Sequence, residues 1–281
     1  MRFDEFARSH GLIIDYVVPF KWVATPTIDH PRKRNGRYKF MGDHGFVQNW
    51  ATMQKVAVWQ AGKDSKPNPN LQKIKANYEA QRQKDADRAA VKAEWILGQC
   101  LNAPHPYLEQ KGHPDEATNV WVIDDPKEPK PKRILVIPMR RDGHLVGAQL
   151  IDEQGEKKFL YGQISKGATF DMKAKGITIL CEGYATALSI KAAMGAIKLP
   201  YTIRVCFSAS NLQEVARSVT GGIVVADNDS NGVGEKAARD TGKPYWISPA
   251  VGEDFNDYHL RNGIFQAALS LKKILLRAPR A

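Results

Sequence analysis

The sequence predicts an α/β protein: a parallel sheet with flanking helices in the carboxyl-terminal half, preceded by an α+β subdomain and a basic N-terminal region. Three observations predict it. From residue 176 onward GITILCEG, TIRVCFSAS and GGIVVADND are short, nearly all-apolar β-branched runs, with PYWISP as a weaker fourth. Between them ATALSIKAAMGA, NLQEVARSV and GEKAARDTG carry helical patterning. Apolar strands alternating with helices make a parallel sheet covered on both faces. The third observation is charge: the net value is +11, with 17 Lys and Arg against 9 Asp and Glu in residues 1–92 and 24 against 21 thereafter. Such asymmetry fits a first third that meets a polyanion, or a basic surface that serves solubility.

In chain order, the first 60 residues mix aromatic and basic residues in short segments, and no particular fold is expected for them. Within them RKRNGRYKF (32–40) holds five cations and no acid, with Asn35-Gly36 as the expected turn. Arg32, Lys33, Arg34 and Arg37 would follow a phosphate backbone while Tyr38 and Phe40 stack on bases, and a solvated hairpin is the plainer alternative. DSKPNPN (64–70) reads as a linker. The stretch LQKIKANYEAQRQKDADRAAVKAEWILGQC is helical in composition but mostly too polar for a core. It reads as an exposed connecting helix whose apolar end, Trp95, Ile96 and Leu97, docks on the next domain. These readings divide the chain into 1–92, an α+β subdomain at 93–172, the parallel-sheet domain at 173–262 and a C-terminal helix at 263–281. In the α+β subdomain RILVIPM and HLVGAQLID are strands joined by the turn RRDG, and EKKFLYGQISKG adds a third strand and a glycine-bearing loop.

Composition also excludes some classes. No apolar run approaches the roughly 20 residues that span a bilayer, and MRFDEFARSHG is too charged for a signal peptide. A cytoplasmic protein without a membrane partner is expected. Cys100, Cys181 and Cys206 form no CxxC pair, so neither a disulfide framework nor a zinc site is indicated, and all three read as core residues.

Ligands of open α/β sheets bind at the carboxyl ends of the strands. Glu182 ends the first strand, Asp227 and Asp229 end the third, and Asp254 and Asp257 follow the fourth. Carboxylates gathered this way repel, and a hard divalent ion removes the repulsion. DNDSNG also begins like a calcium loop, but the twelfth residue from Asp227 is Ala238 rather than glutamate. Helix capping is the alternative reading of Asp227 and Asp229. Ser210 or Asn211 is expected to cap NLQEVARSV, Tyr184 to lie in the core, and His105 and His259 to be structural.

CEGYATALSI and then VVADNDSNGVGEKAA together resemble the Toprim domain shared by topoisomerases and bacterial-type primases, a strand-ending glutamate followed by DxD. Upstream, HPYLEQKG, ILVIPMRRDGHLVGAQLI and EKKFLYGQISKGATF resemble the subdomain that precedes Toprim in primase cores of phages, plasmids and mobile elements. The resemblance implies a DNA primase that makes short RNA primers on a single-stranded DNA template from nucleoside triphosphates. It implies Mg²⁺ or Mn²⁺ at Glu182, Asp227 and Asp229 with help from Asp254, and nucleotide-facing cations among Arg140, Lys158 and Lys166. A separate replicative helicase would be a further partner. Two departures stand out: the sequence has no cysteine-rich zinc-binding domain, and no G-x-x-x-x-G-K-[ST] helicase motif. A Toprim nuclease and a non-catalytic nucleic-acid-binding accessory protein are the alternative readings.

Overall fold

The computed structural model describes residues 1–62, 69–126, 129–173 and 175–277, so most of the expected linker at 64–70 and the end of the expected C-terminal helix lie outside the described residues. Packing divides the chain into two compact units, Met1–Lys84 and Asp85–Ala281. Among the described residues no helix is long and apolar enough to cross a membrane.

The first unit is built on helix α1 (Phe3–Ser9) and strands β1 (Val23–Thr25), β2 (Gly36–Phe40), β3 (His44–Asn49) and β4 (Ala57–Gln60). The strands form one antiparallel sheet in sequence order. Alternation along β2 and β3 sends Tyr38 and Val47 to a core with Phe3, Ala7, Leu12 and Ile14. Phe3 is the hub of that core, 4.9 Å from Phe40 and 5.6 Å from Trp59 between ring centroids. Gly36 is not the expected turn residue. It is paired with Thr25 and Asn49 inside the sheet, where a Cβ would press on Leu12 and Thr27 at 2.9 Å.

Helix α2 (Pro69–Gly98) starts on a proline, whose missing N–H would be unsatisfied at a helix start in any case. After it come β5 (Cys100–Ala103), α3 (Pro106–Gln110), β6 (Thr118–Ile123), β7 (Lys132–Arg141), β8 (His144–Ile151) and β9 (Lys157–Phe159). These strands form an antiparallel sheet in chain order. The expected hairpin at RRDG is present, with Asp142 and Gly143 both at positive φ, as primed turns require. One face of this sheet packs on α2 through Ala89, Ala93 and Ile96, one helical stripe that meets Val136, Ala148 and Leu160. Trp95 stays more than half exposed, edge-on to Trp121, so Ile96 rather than Trp95 makes the deep contact.

The last sheet contains β10 (Phe170–Met172), β11 (Ile177–Cys181), β12 (Tyr201–Val205), β13 (Ile223–Ala226) and β14 (Tyr245–Ile247), interleaved with α4 (Tyr184–Ile197), α5 (Ala209–Ser218), α6 (Val233–Asp240) and α7 (Phe255–Leu275). Its order is β10-β12-β11-β13-β14, with β10 antiparallel at the edge and the rest parallel. Alternate residues explain the two helical layers. Ile179, Cys181 and Val225 face a core shared with α4 and α7, while Leu180, Val224 and Ala226 face α5 and α6. Leu135, Ile137 and Ile151 of the antiparallel sheet join the first of these cores, so the two sheets of the second unit share one core. Gly263 breaks α7 with φ 78° and ψ 163°.

Candidate active site

β11 lies between β12 and β13, so the chain crosses from one side of its first parallel strand to the other. That reversal opens a crevice at the carboxyl ends of β11 and β13. Cys181 pairs with Val225, and Glu182 and Asp227 are the first residues after the ends of β11 and β13.

Glu182 turns into α4, and its carboxylate accepts a hydrogen bond from the backbone N–H of Ala209, the first residue of α5. Its own carbonyl accepts from the N–H of Phe207, a bulky residue held at φ 68°. Such a conformation is rare outside glycine and is retained where surrounding structure enforces it. Burial and the Asp229 carboxylate push the Glu182 pKa up to about 7, against the Ala209 hydrogen bond and the Lys157 charge. Burial, then Glu182, Asp254 and Asp229, push Asp227 up to about 7 as well.

Asp227 and Asp229 do not cap the next helix. The N-cap of α6 is Gly232, without a side-chain cap, and Asn231 Oδ1 accepts from Val233 N at 3.0 Å. Among the described residues, Asp227 Oδ1 is buried without a hydrogen-bond partner. Gly234 presses against the Asp227 carbonyl so closely that a Cβ would collide with it, and this sets the path of the loop. Between the two acids, Asn228 Nδ2 donates to the carbonyls of Ser248 at 2.8 Å and Ala250 at 3.2 Å. Its backbone N–H also donates to Glu253 O and its carbonyl accepts from Gly252 N. The acidic loop is thereby stitched to the segment that leads into α7.

Asp254 is the N-cap of α7, where its Oδ1 accepts from Asp257 N at 2.8 Å in a reciprocal capping box. Its charge nonetheless reaches Asp227. Asp257 turns instead to Lys111, 3.4 Å away. Among the described residues no group of three or more His, Cys, Asp or Glu side chains is gathered closely enough to hold an ion by itself. Asp254 is committed to its helix and Asp229 is exposed, so the rim is open. An open oxygen site with a buried, unpartnered carboxylate oxygen still fits magnesium, which keeps waters and takes one or two carboxylates together with substrate phosphates.

A family model for the Toprim domain matches residues 177–264, from β11 into α7. Residues 177–264 are a Toprim domain. A chain in the structure of bacteriophage T7 lagging-strand DNA polymerase interacting with primase domains of two gp4 subunits bound to an RNA/DNA hybrid and dTTP is similar at 15% identity and TM-score 0.42, over 62% of this chain and 87% of that one. Comparison with curated proteins gives no match.

Facing the Toprim acids, the cation whose charge reaches both Glu182 and Asp227 is Lys157. Lys157 and Phe159 share a face of β9, and Phe159 lies edge-on to Phe207 at 6.4 Å. Lys158 points the other way and lines a groove with Lys130, Lys132 and Arg133. Lys166 is paired with Glu214 at 3.2 Å, and Arg140 donates to Gly143 O beside the hairpin turn. Neither the charge of Lys166 nor that of Arg140 is among those shifting the acids.

Asn211 does not cap α5; Ser208 does, accepting from Asn211 N at 3.3 Å. Asn211 is buried and joins two segments: its Oδ1 accepts from Gly167 N, and its Nδ2 donates to Ala168 O and Cys206 O, both at 2.8 Å. Tyr184 is buried against Phe170, as expected. His105 caps α3 by accepting from Tyr107 N, and His259 Nδ1 meets Ser189 Oγ at 2.9 Å, both structural contacts.

In the first unit, Arg32, Lys33 and Arg34 are exposed before β2. Tyr38 and Phe40 are not available to bases, because both belong to the Phe3 core and the Tyr38 hydroxyl donates to Tyr16 O. Arg37 lies on the opposite face of the sheet, its guanidinium 4.7 Å from the Trp22 ring and 5.4 Å from Trp50.

Proposed function

We propose that this protein is a DNA primase that joins nucleoside triphosphates into short RNA primers on a single-stranded template, by divalent-metal-dependent nucleotidyl transfer in phage, plasmid or mobile-element replication. The observation that carries this reading is the unpartnered, buried Asp227 oxygen beside Glu182 at the crevice of a Toprim domain. Two acids driven toward neutrality by burial and mutual charge are costly unless a cation joins them. Asp227, Asp229 and Glu182 would hold Mg²⁺ or Mn²⁺, with Asp254 adding to the field. The bound ion would neutralise triphosphate charge and lower the pKa of the attacking 3′-hydroxyl. Glu182 would either complete the metal shell or accept that hydroxyl's proton. Lys157 supplies fixed positive charge where negative charge develops on the α-phosphate. The preceding strands that resemble a primase core favour synthesis over cleavage.

The test is incubation with single-stranded DNA, labelled ribonucleotides and Mg²⁺ or Mn²⁺, alongside the Asp227→Ala variant. Short labelled products that vanish in the variant are expected. Shortened DNA would replace the primase reading with a nuclease, and DNA binding without either product would leave an accessory protein.

A further inference from the structure

The outer face of the N-terminal sheet carries an aromatic strip that the core does not use. Val23 pairs with Tyr38 and Arg37 with Gln48, so Trp22, Arg37, Phe46 and Gln48 stand on the face opposite Phe3 and α1. Trp22 meets Phe46 at 6.1 Å, Phe46 meets His44 edge-on at 5.5 Å, and Arg37 bridges Trp22 to Trp50. Arg37 is held flat by two hydrogen bonds to Gln48 Oε1, at 3.2 and 2.9 Å. Trp22 and Trp50 are 46% and 53% exposed, and Val58 on the neighbouring strand is 55% exposed.

Antiparallel sheets usually present polar residues to water on their open face. Here the open face presents large, half-exposed rings rimmed by charged residues, the kind of surface that marks an interaction site. Its charge selects the class of ligand. Lys39 shares the face with Arg37, Lys21 adjoins Trp22, and Arg32, Lys33 and Arg34 lie just before β2, whereas Asp43 sits in the β2–β3 turn and Asp29 is held by Asn49 Nδ2 on the opposite, buried face. Rings spaced by cations match a strand whose bases are unpaired, because a duplex hides its base faces while a single strand offers both bases and phosphates.

We infer that the outer face of this sheet, through Trp22, Phe46, Trp50 and Arg37, binds single-stranded nucleic acid by stacking its bases, with the flanking cations on the phosphates. The inference rests on the primase reading for the choice of ligand, but not on any step at the Toprim acids. It also replaces Tyr38 and Phe40 as the stacking residues.

The experiment measures binding of the full chain to a fluorescent oligodeoxythymidine across a salt series. The Trp22→Ala/Trp50→Ala double variant should lose about ten- to hundredfold in affinity, the size expected for one or two lost stacking contacts. Its log–log salt slope should not change, and Trp22→Phe/Trp50→Phe should restore most of the affinity. Lys39→Ala, which removes a flanking cation, should lower the slope by about 0.7, the value for one phosphate on a single strand. Circular dichroism and thermal melting establish that each variant is folded. Equal affinity in a folded double alanine variant overturns the inference, as does equal affinity for a duplex of the same length. A second copy or another protein on this face would show as unchanged DNA affinity with altered sedimentation, which also overturns it. The wild type's own primer synthesis separates the two proposals: DNA binding through this face without primer synthesis would retain the inference and remove the primase.

Discussion

The carboxylate of Glu182 raises the proton affinity of Asp227 across two neighbouring parallel strands. The two residues are 45 positions apart in sequence and meet because β11 and β13 pair directly. Their repulsion is a structural cost that bound metal would relieve, and this links stability, pH and activity in measurable ways.

Asp227→Asn removes one of the repelling charges while keeping the side-chain shape. Metal-free protein should gain about 1–3 kcal/mol at neutral pH, the scale of one buried, uncompensated polar group. Primer synthesis should fall at least about a hundredfold, as when a transition-state charge stabiliser is lost. Thermal melts with and without Mg²⁺ check the first outcome, and the added Mg²⁺ should stabilise the wild type more than the variant.

The pH dependence follows from the raised acids. Glu182 and Asp227 bind protons more tightly in the folded chain, at about 7, than at their ordinary 4.5 and 3.8. The folded state therefore holds more protons between about pH 4 and 7, and the contribution of these acids to stability is full below pH 4 and lost as pH rises through 7. His113 works in the opposite direction, since burial and then His259 depress it to about 4. The useful quantity is thus the stability difference between wild type and Asp227→Asn, in which His113 cancels. That difference should move in the wild type's favour by a few kcal/mol as pH falls from 7.5 to 4.5, an order-of-magnitude figure. A flat difference by denaturant titration would refute the coupling.

Lys157→Ala and Lys158→Ala separate the two faces of β9. The first should lower kcat/KM for nucleotide by about ten- to hundredfold, since its charge reaches both acids. The second should stay within about threefold, as expected for an exposed cation away from the acids. Steady-state primer synthesis at fixed ionic strength measures both.

Asn228→Ala should unfasten the acidic loop. It leaves the carbonyls of Ser248 and Ala250 without their side-chain donor and should cost about 1–2 kcal/mol. Mg²⁺ affinity should fall with it, read as a higher Mg²⁺ concentration at half-maximal activity. Restored activity at high Mg²⁺ would distinguish this positioning role from the loss seen on removing Asp227.

Much of the Toprim domain was legible because its signals are local. Four apolar runs, their helical spacers and the acids after the first and third runs can be read within short windows, and β11 to β14 lie where those runs predict. The N-terminal sheet was less legible because its strands are short and its core is assembled from Phe3, Tyr38 and Trp59, which lie far apart in the chain. Lys157 and Lys158 are equivalent in a sequence window, since alternation sets their faces apart without saying which one meets the acids. Asn211 and Asn228 carry no periodic signal at all, and their partners lie in distant loops.

By itself, then, the sequence determined the order of strands and helices, the burial of the parallel sheet and the position of Glu182, Asp227 and Asp229 at strand ends. These depend on apolar patterning and chain direction, which are properties of neighbouring residues. Only the tertiary structure decided that Asp227 keeps an unpartnered oxygen instead of capping α6, that Lys157 is the cation facing it, and that Trp22 and Trp50 rather than Tyr38 line the open face. Those outcomes depend on strand register and long-range hydrogen bonding, where a shift of one residue reverses every side chain.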